Sequence, residues 1–108
     1  MRLRNSAIVA AWLDHKPAEM SAAIAELRSL TLDQVDGEGF YSMGQTLSIC
    51  GRPADALAFL REALRRNYCT YPAVDTDPAF ANVRRLPEYA AFRNEAAQCH
   101  AKFMEATR

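Results

Sequence analysis

The stretch from Phe40 to Ala63, FYSMGQTLSICGRPADALAFLREA, decides the fold of this chain. Its apolar residues recur at intervals of three and four, which is the spacing of one face of a helix. The pattern is interrupted at Gly51-Arg52-Pro53. Glycine is typical just past a helix end, and proline is typical of a first helical position. The stretch therefore predicts two helices, at about 38–50 and 53–67, that run antiparallel and are joined by a short turn.

Small side chains occupy the positions at which two such helices would approach each other. Gly44 on the first helix and Ala56 on the second remove the side chains that would hold the helices apart. Gly51 lets the chain reverse direction without strain. Larger apolar residues are expected to fill the rest of the seam, namely Phe40, Met43, Leu47, Leu60 and Ala63.

This spacing resembles that of the tetratricopeptide repeat, a helix–turn–helix unit with a period of roughly 34 residues. Phe40 stands where the family has Trp, Met43-Gly44 replaces Leu-Gly, and Leu47 replaces Tyr. Ala56 matches the family's Ala, and Leu60 stands for Phe. The resemblance implies an all-α fold, a short right-handed superhelix (solenoid) of antiparallel helix pairs, in which residues 38–67 form a clear repeat.

A weaker copy of the same pattern precedes the clear repeat. The second helix of the copy begins at Pro17, and its residues Ala23, Leu27 and Leu30 match Ala56, Leu60 and Ala63. The first helix, at about 4–14, matches in residue size but lacks the aromatic residue. We therefore interpret residues 4–31 as a degenerate repeat, with an unrelated helical hairpin as the alternative.

The sequence after the clear repeat predicts a closing element. Residues 68–76 predict a non-helical connection, and Asp77-Pro78 places an N-cap acceptor before a proline suited to a first turn. A short helix at about 78–85 and a last helix at about 88–106 are expected to follow. The last helix carries an apolar stripe on one face, made of Tyr89, Phe92, Ala96, Cys99 and Phe103.

Residues 77–92 resemble the ending of bacterial tetratricopeptide arrays, an Asp-Pro, aromatic, Leu-Arg, Pro-aromatic run. The resemblance implies that 77–106 form a terminal helix pair whose last helix is a C-terminal capping helix. The chain 1–108 is thus expected to be a single helical-repeat domain. About two repeats and a cap are near the lower limit for independent stability, which is consistent with a piece of a longer protein.

Composition and charge restrict the partners that we expect. The 108 residues include 13 basic and 13 acidic side chains, so the formal net charge is zero, and half of the residues are hydrophobic. This balance is typical of a globular protein and argues against nucleic acid or an anionic membrane as a partner. The apolar run from Ala7 to Leu13 is too short to span a bilayer. It is followed by no small-residue cleavage site, so we interpret it as a helix rather than a signal peptide.

Three cysteines, Cys50, Cys69 and Cys99, are an odd number without a short C-x-x-C spacing. This arrangement is not a disulfide framework and favours free, buried cysteines in the reducing cytoplasm. Cys99 and His100 are adjacent, but neighbours on a helix diverge by about 100°, so we expect a core cysteine rather than a metal ligand. An enzyme or redox protein that uses a cysteine or His100 remains an alternative.

No motif in the sequence indicates a phosphate-binding loop, a zinc site or a nucleophile elbow. We therefore predict no catalytic residue, no metal and no cofactor. In the tetratricopeptide family the first helix of each pair lines a concave groove that holds a peptide or a partner helix. The resemblance implies that the groove-facing positions here are Ile8, Trp12, Glu38, Tyr41, Gln45, Ser48 and Ile49. The alternative for Trp12 and Tyr41 is packing between helix pairs.

The resemblance implies a function as well as a fold. The first hypothesis is a non-enzymatic protein–protein interaction module that binds a partner segment through the concave groove, as a regulatory or scaffolding part of a larger bacterial protein. The second is a structural segment that self-associates, as a homodimer, within a multidomain cyclase, kinase or transcription regulator. In both cases the expected location is cytoplasmic.

Overall fold

The regular structure of this chain is helical throughout the part that the computed structural model describes, which comprises residues 9, 12–31 and 36–106. Within those residues there is no β-strand, and the all-α prediction is confirmed. None of the helices in these ranges is long and apolar enough to cross a membrane. The chain divides into two compact units, residues 1–35 and 36–108, which are described separately below.

In the first unit, helix α1 runs from Pro17 to Thr31. It begins at the proline, as predicted, after a left-handed residue at His15 (φ 56°). Three residues of its predicted apolar stripe are buried, namely Met20, Ile24 and Leu27. Most of the predicted helix at 4–14, including Ile8, lies outside the described residues, so the degenerate repeat at 4–31 stays a prediction.

The second unit begins with helix α2, Gly37–Ile49, and helix α3, Pro53–Arg65. Asp36 caps α2, because its carboxylate accepts a hydrogen bond from the Gly39 amide at 2.8 Å. Proline opens α3 in its first turn. The neighbours of two glycines on α2 show how α2 and α3 pack. Gly44 faces Ala56 and Leu60, whereas Gly37 faces Ala63 and Tyr68. The two helices therefore pack side by side as a hairpin.

Both helices of the hairpin end in the same hydrogen-bonded turn. After α2, the Gly51 amide donates to the Ser48 carbonyl at 3.1 Å, and the Arg52 amide donates to Leu47 at 2.9 Å. After α3, the amides of Asn67 and Tyr68 donate in the same pattern, both at 3.0 Å. This is the Schellman motif, which needs a left-handed residue. Gly51 (φ 78°) and Asn67 (φ 65°) supply it.

The segment between the hairpin and the last helix differs from the prediction. Helix α4, Ala73–Thr76, lies in the stretch predicted as non-helical. The predicted helix at 78–85 is instead two 3-10 turns, Pro78–Phe80 and Val83–Arg85. Buried apolar side chains hold these short elements, because Val74, Phe80 and Val83 are fully inaccessible to solvent. Buried side chains, rather than long helices, therefore stabilise this segment of short elements.

The last helix, α5, runs from Tyr89 to Ala106, within one residue of the predicted start. Its stripe is buried at Tyr89, Phe92 and Ala96. At Phe103 the stripe is exposed, with 60% of the residue accessible to solvent. The helix thus packs through its first half and extends beyond its buried contacts.

The expectation of free cysteines is wrong for two of the three. Cys69 and Cys99 form a disulfide, with their Cα atoms 5.4 Å apart, and Cys50 is free and buried. The two partners are 30 residues apart in sequence, so no short spacing reveals the pair. The inference of a reducing cytoplasm rested on unpaired cysteines, and the disulfide removes that support.

Candidate functional site

The residues predicted to fill the seam of the hairpin are all buried. A Cβ atom built on Gly44 would lie 3.4 Å from the Ala56 carbonyl and 3.5 Å from Leu60, which is ordinary contact distance. A Cβ atom built on Gly37 would lie only 2.4 Å from Cβ of Tyr68. The position that requires glycine is therefore Gly37, whose added Cβ atom would overlap with Tyr68. The buried seam comprises Phe40, Met43, Gly44, Leu47, Ala56, Leu60 and Ala63.

The residues predicted to line an open groove fall into three groups. Ile8 lies outside the described residues, and Trp12 belongs to the first unit, where it is 39% exposed. Glu38 and Ile49 are exposed on α2. The remaining three, Tyr41, Gln45 and Ser48, are covered by residues 77–82 of the same chain.

Asp77 holds two of the covered side chains. The Tyr41 hydroxyl donates to its Oδ2 atom at 2.9 Å, and the Gln45 amide donates to the same atom at 2.7 Å. Its Oδ1 atom accepts from the Ala79 amide at 3.0 Å, as expected of an N-cap residue. One carboxylate thus caps the 3-10 turn and joins it to α2.

Ser48 and Asn82 form a second link between α2 and this segment. The Ser48 hydroxyl, which is buried, donates to the Ala79 carbonyl and contacts the side-chain oxygen of Asn82. The Asn82 amide donates back to the Ser48 carbonyl at 2.9 Å. These bonds satisfy polar atoms that would otherwise be costly to bury.

The ring of Tyr41 packs between two other aromatic rings. Its centroid lies 5.3 Å from that of Phe80 and 5.7 Å from that of Tyr68, both in edge-to-face arrangement. Such pairs stabilise a packed interior by about 0.5–1.5 kcal/mol beyond burial alone. Tyr41 therefore packs against Phe80 and Tyr68 of its own unit and is half-buried there.

The electrostatics of the Asp77 cluster favour the charged carboxylate. Burial acts to raise the pKa of Asp77, but the hydrogen bonds from Ala79, Gln45 and Tyr41, with the charge of Arg84, outweigh it and lower that pKa. Burial and the bond to Asp77 raise the pKa of Tyr41 above its usual value. The tyrosine therefore stays neutral and donates, and the aspartate stays ionised and accepts.

A similar cluster at Asp75 ties α4 to α5. Its carboxylate accepts hydrogen bonds from the Tyr89 hydroxyl and, at 2.7 Å, from the Arg93 guanidinium. Burial acts to raise the pKa of Asp75, but these bonds and the charges of Arg93 and Arg84 lower it. Arg84 donates 2.9 Å bonds to the carbonyls of Val74 and Asp77. Sequence analysis missed this cluster, because no spacing links residue 75 to residues 89 and 93.

The part of α2 that stays exposed forms a narrow strip, defined as Glu38, Ser42 and Ile49. All three are exposed, and 57% of Ile49 is accessible to solvent. Residues 38 and 49 are three helical turns apart and point in nearly the same direction, about 16 Å from each other along the axis. Gln45, which is bonded to Asp77, lies between Glu38 and Ile49 in nearly the same direction, and Tyr41 lies beside it, so hydrogen bonds hold the helix next to the strip.

Of the side chains considered for catalysis or metal binding, Cys69 and Cys99 are bonded to each other in the disulfide. Cys50 is buried, and burial raises the pKa of its thiol. The His100 ring packs against Tyr71, with centroids 5.8 Å apart. Within residues 9, 12–31 and 36–106, no group of three or more His, Cys, Asp or Glu side chains is arranged to hold a metal ion.

Comparison with known proteins finds no relative of this chain. No family model matches the chain, and no curated protein or solved structure matches it at a significant level.

Proposed function

We propose that this protein is a non-enzymatic interaction module of the tetratricopeptide type, a short right-handed solenoid that binds a partner segment on the exposed strip of α2. The hairpin of α2 and α3 is the repeat unit, and residues 77–106 stack on it as the cap. The observation that carries the proposal is the combination of exposed Glu38, Ser42 and Ile49 with a helix fixed from its other side. A rigid, exposed helix face binds at low entropic cost.

The chemistry of the strip indicates the kind of partner segment. Ile49 offers an apolar contact, and Glu38 offers a negative charge about 16 Å away along the helix. An extended peptide rises about 3.3 Å per residue, so it covers this distance in about five residues. The proposed ligand is a peptide with a basic residue and an apolar residue about five positions apart. Tyr41 and Ser48 are not part of this site, whereas half-buried Gln45 lies between its two ends and keeps its bond to Asp77.

Selection from a displayed peptide library tests the proposal. The protein should enrich peptides with the basic–apolar spacing, and Ile49→Arg should abolish their binding while leaving the circular dichroism spectrum and Tm unchanged. Ala54→Arg, at an exposed position of α3, is the matched control and should bind normally. Equal peptide enrichment by the wild type and by Ile49→Arg would show that the strip is not the binding surface.

A second candidate function, self-association, is favoured by the exposed end of α5. Phe103 and Met104, at consecutive positions of that helix, are 60% and 50% exposed. A dimer would bury them, and the segment could then hold a larger multidomain protein together. Sedimentation velocity over a wide concentration range separates the two functions. A strict monomer at the highest concentration, with Phe103→Glu sedimenting identically, would eliminate self-association.

We also propose that the module serves a larger bacterial protein in a regulatory or scaffolding role, as the resemblance of 77–92 to array endings implies. A cytoplasmic location belongs to the same proposal. Neither statement affects the peptide-selection test, which concerns only this chain.

A further inference from the structure

A surface cleft of about 510 Å³ lies beside the disulfide of the second unit. Cys69 and Cys99 both line it, together with Leu64, Asn67 and Phe103. Both cysteines are only partly buried. A small molecule in this cleft is therefore in contact with the residues that carry the S–S bond.

The disulfide is placed where the packing of α5 ends. Tyr89, Phe92 and Ala96 are buried, and Arg93 is tied to Asp75 at 2.7 Å, so the first half of the helix is held by several contacts. Beyond Ala96 no described residue of α5 is fully buried, and residues 101–106 are all exposed. The covalent link at Cys99 thus lies beyond the last fully buried residue of the helix and ties its final turns to Cys69.

A ring contact also joins this end of α5 to the loop that it meets. The His100 ring packs against the Tyr71 ring, with centroids 5.8 Å apart, and neither residue lines the cleft. Tyr71 is also covered by Arg93, whose guanidinium lies 5.3 Å from the ring centroid. The loop residue Tyr71 thus keeps a contact with the first half of α5 that does not depend on the disulfide.

We infer that the Cys69–Cys99 disulfide is a redox modification site, which a small dithiol opens from the cleft, and that opening it releases residues 97–106. A thiolate of the dithiol attacks one sulfur, a new S–S bond forms to it, and the other cysteine leaves as a thiolate that takes a proton from water. The second thiol then attacks the mixed disulfide. The two electrons come from the dithiol, which ends as its own disulfide, and the protein ends with two thiols.

The third cysteine does not take part in this exchange. Cys50 is buried in the hairpin, with 4% of the residue exposed, and burial raises the pKa of its thiol. Thiol–disulfide exchange needs an accessible thiolate, so Cys50 reacts poorly with the sulfur atom of either Cys69 or Cys99. The variant Cys50→Ala is therefore a matched control that keeps the redox site intact.

Dithiothreitol is the probe for the test, applied to the full chain in native buffer. Mass spectrometry after alkylation should show one free thiol before reduction and three after it, at a rate far above that of global unfolding. Hydrogen exchange of amides in residues 97–106 should then accelerate at least about tenfold, while residues 89–96 and 40–48 stay within about twofold. Cys50→Ala should show no free thiol before reduction and two after it, with the same change in hydrogen exchange.

Three results would overturn the inference, two with the wild type and one with a variant. One is a disulfide that reacts with dithiothreitol only as fast as the protein unfolds, since the cleft would then give no access to it. The other is complete reduction with unchanged exchange in 97–106, since the disulfide would then not be what holds the helix end. The double variant Cys69→Ser, Cys99→Ser should show the fast exchange without any reductant, and slow exchange in it would contradict the inference as well.

Discussion

Two glycines of α2 illustrate how close packing depends on the exact position in the hairpin. The sequence pointed to Gly44, because small residues at that spacing are typical of paired helices. In the structure a side chain at Gly44 would meet its neighbours at 3.4–3.5 Å, whereas one at Gly37 would meet Cβ of Tyr68 at 2.4 Å. The contact at Gly37 depends on where α3 ends, so no local pattern could have revealed it.

We therefore predict that the two alanine variants have opposite effects. Gly37→Ala should lower the free energy of unfolding by about 1–3 kcal/mol. The new methyl group would overlap with the Cβ atom of Tyr68, which cannot move without a shift of the backbone. Gly44→Ala should be neutral or stabilising by up to about 1 kcal/mol, since alanine favours the helix over glycine. Urea titration followed by circular dichroism measures both. Equal destabilisation by the two substitutions would contradict the packing described here.

At the scale of elements, the sequence predicted α1, α2, α3 and α5 because their signals are local. Proline at the first turns of α1 and α3, glycine after α2 and apolar residues at intervals of three and four all lie within the helix that they specify. The 3-10 turns at 78–85 and the disulfide were missed for the opposite reason. Both depend on contacts between residues some 30 positions apart in sequence. Asp77, which caps the first 3-10 turn, bonds to Tyr41, and Cys69 bonds to Cys99.

The candidate site was predicted in part, for the same reason. Helical periodicity placed Glu38, Tyr41, Gln45, Ser48 and Ile49 off the seam of the hairpin, but it could not tell which of them the rest of the chain would cover. Coverage depends on the path of residues 77–82. Hydrogen bonds join Tyr41, Gln45 and Ser48 to this segment, whereas Glu38 and Ile49 remain exposed.

Phe80 should be the main apolar anchor of the segment that covers α2. It is fully buried and packs edge-to-face on Tyr41. We predict that Phe80→Ala lowers the free energy of unfolding by about 3–5 kcal/mol, the usual cost of an aromatic cavity. Phe80→Leu should recover part of it. Ala81→Ser, at the exposed neighbouring position, is the control and should unfold like the wild type in a thermal melt.

At the scale of the whole molecule, polar clusters link elements that are far apart in sequence. Asp77 joins its 3-10 turn to α2, and Asp75 joins α4 to α5. Both carboxylates have a pKa lowered from the ordinary value of 3.8. Because the net charge is zero, overall repulsion between like charges is small at neutral pH. It does not mask the contribution of these two carboxylates to stability.

These lowered pKa values predict sensitivity to acid. In acid the unfolded chain binds protons at carboxylates that the folded chain keeps ionised, so the free energy of unfolding falls as the pH decreases from about 5 through the folded pKa values. The double variant Asp75→Asn, Asp77→Asn should be less stable at pH 7 and show a weaker acid dependence. The control Glu105→Gln, at an exposed position, should keep the full dependence. Urea titrations at a series of pH values measure it, and an unchanged acid dependence in the double variant would contradict the role of these clusters.

The central claim is that residues 77–82 cover one face of α2 and leave the strip of Glu38, Ser42 and Ile49 as its exposed part. Nuclear Overhauser effects between side chains test this claim most directly. Strong cross-peaks should join the ring protons of Tyr41 to those of Phe80, which have centroids 5.3 Å apart, while the Ile49 methyl groups should show none to residues 77–82. Absence of the Tyr41–Phe80 cross-peaks in the folded protein would contradict the account.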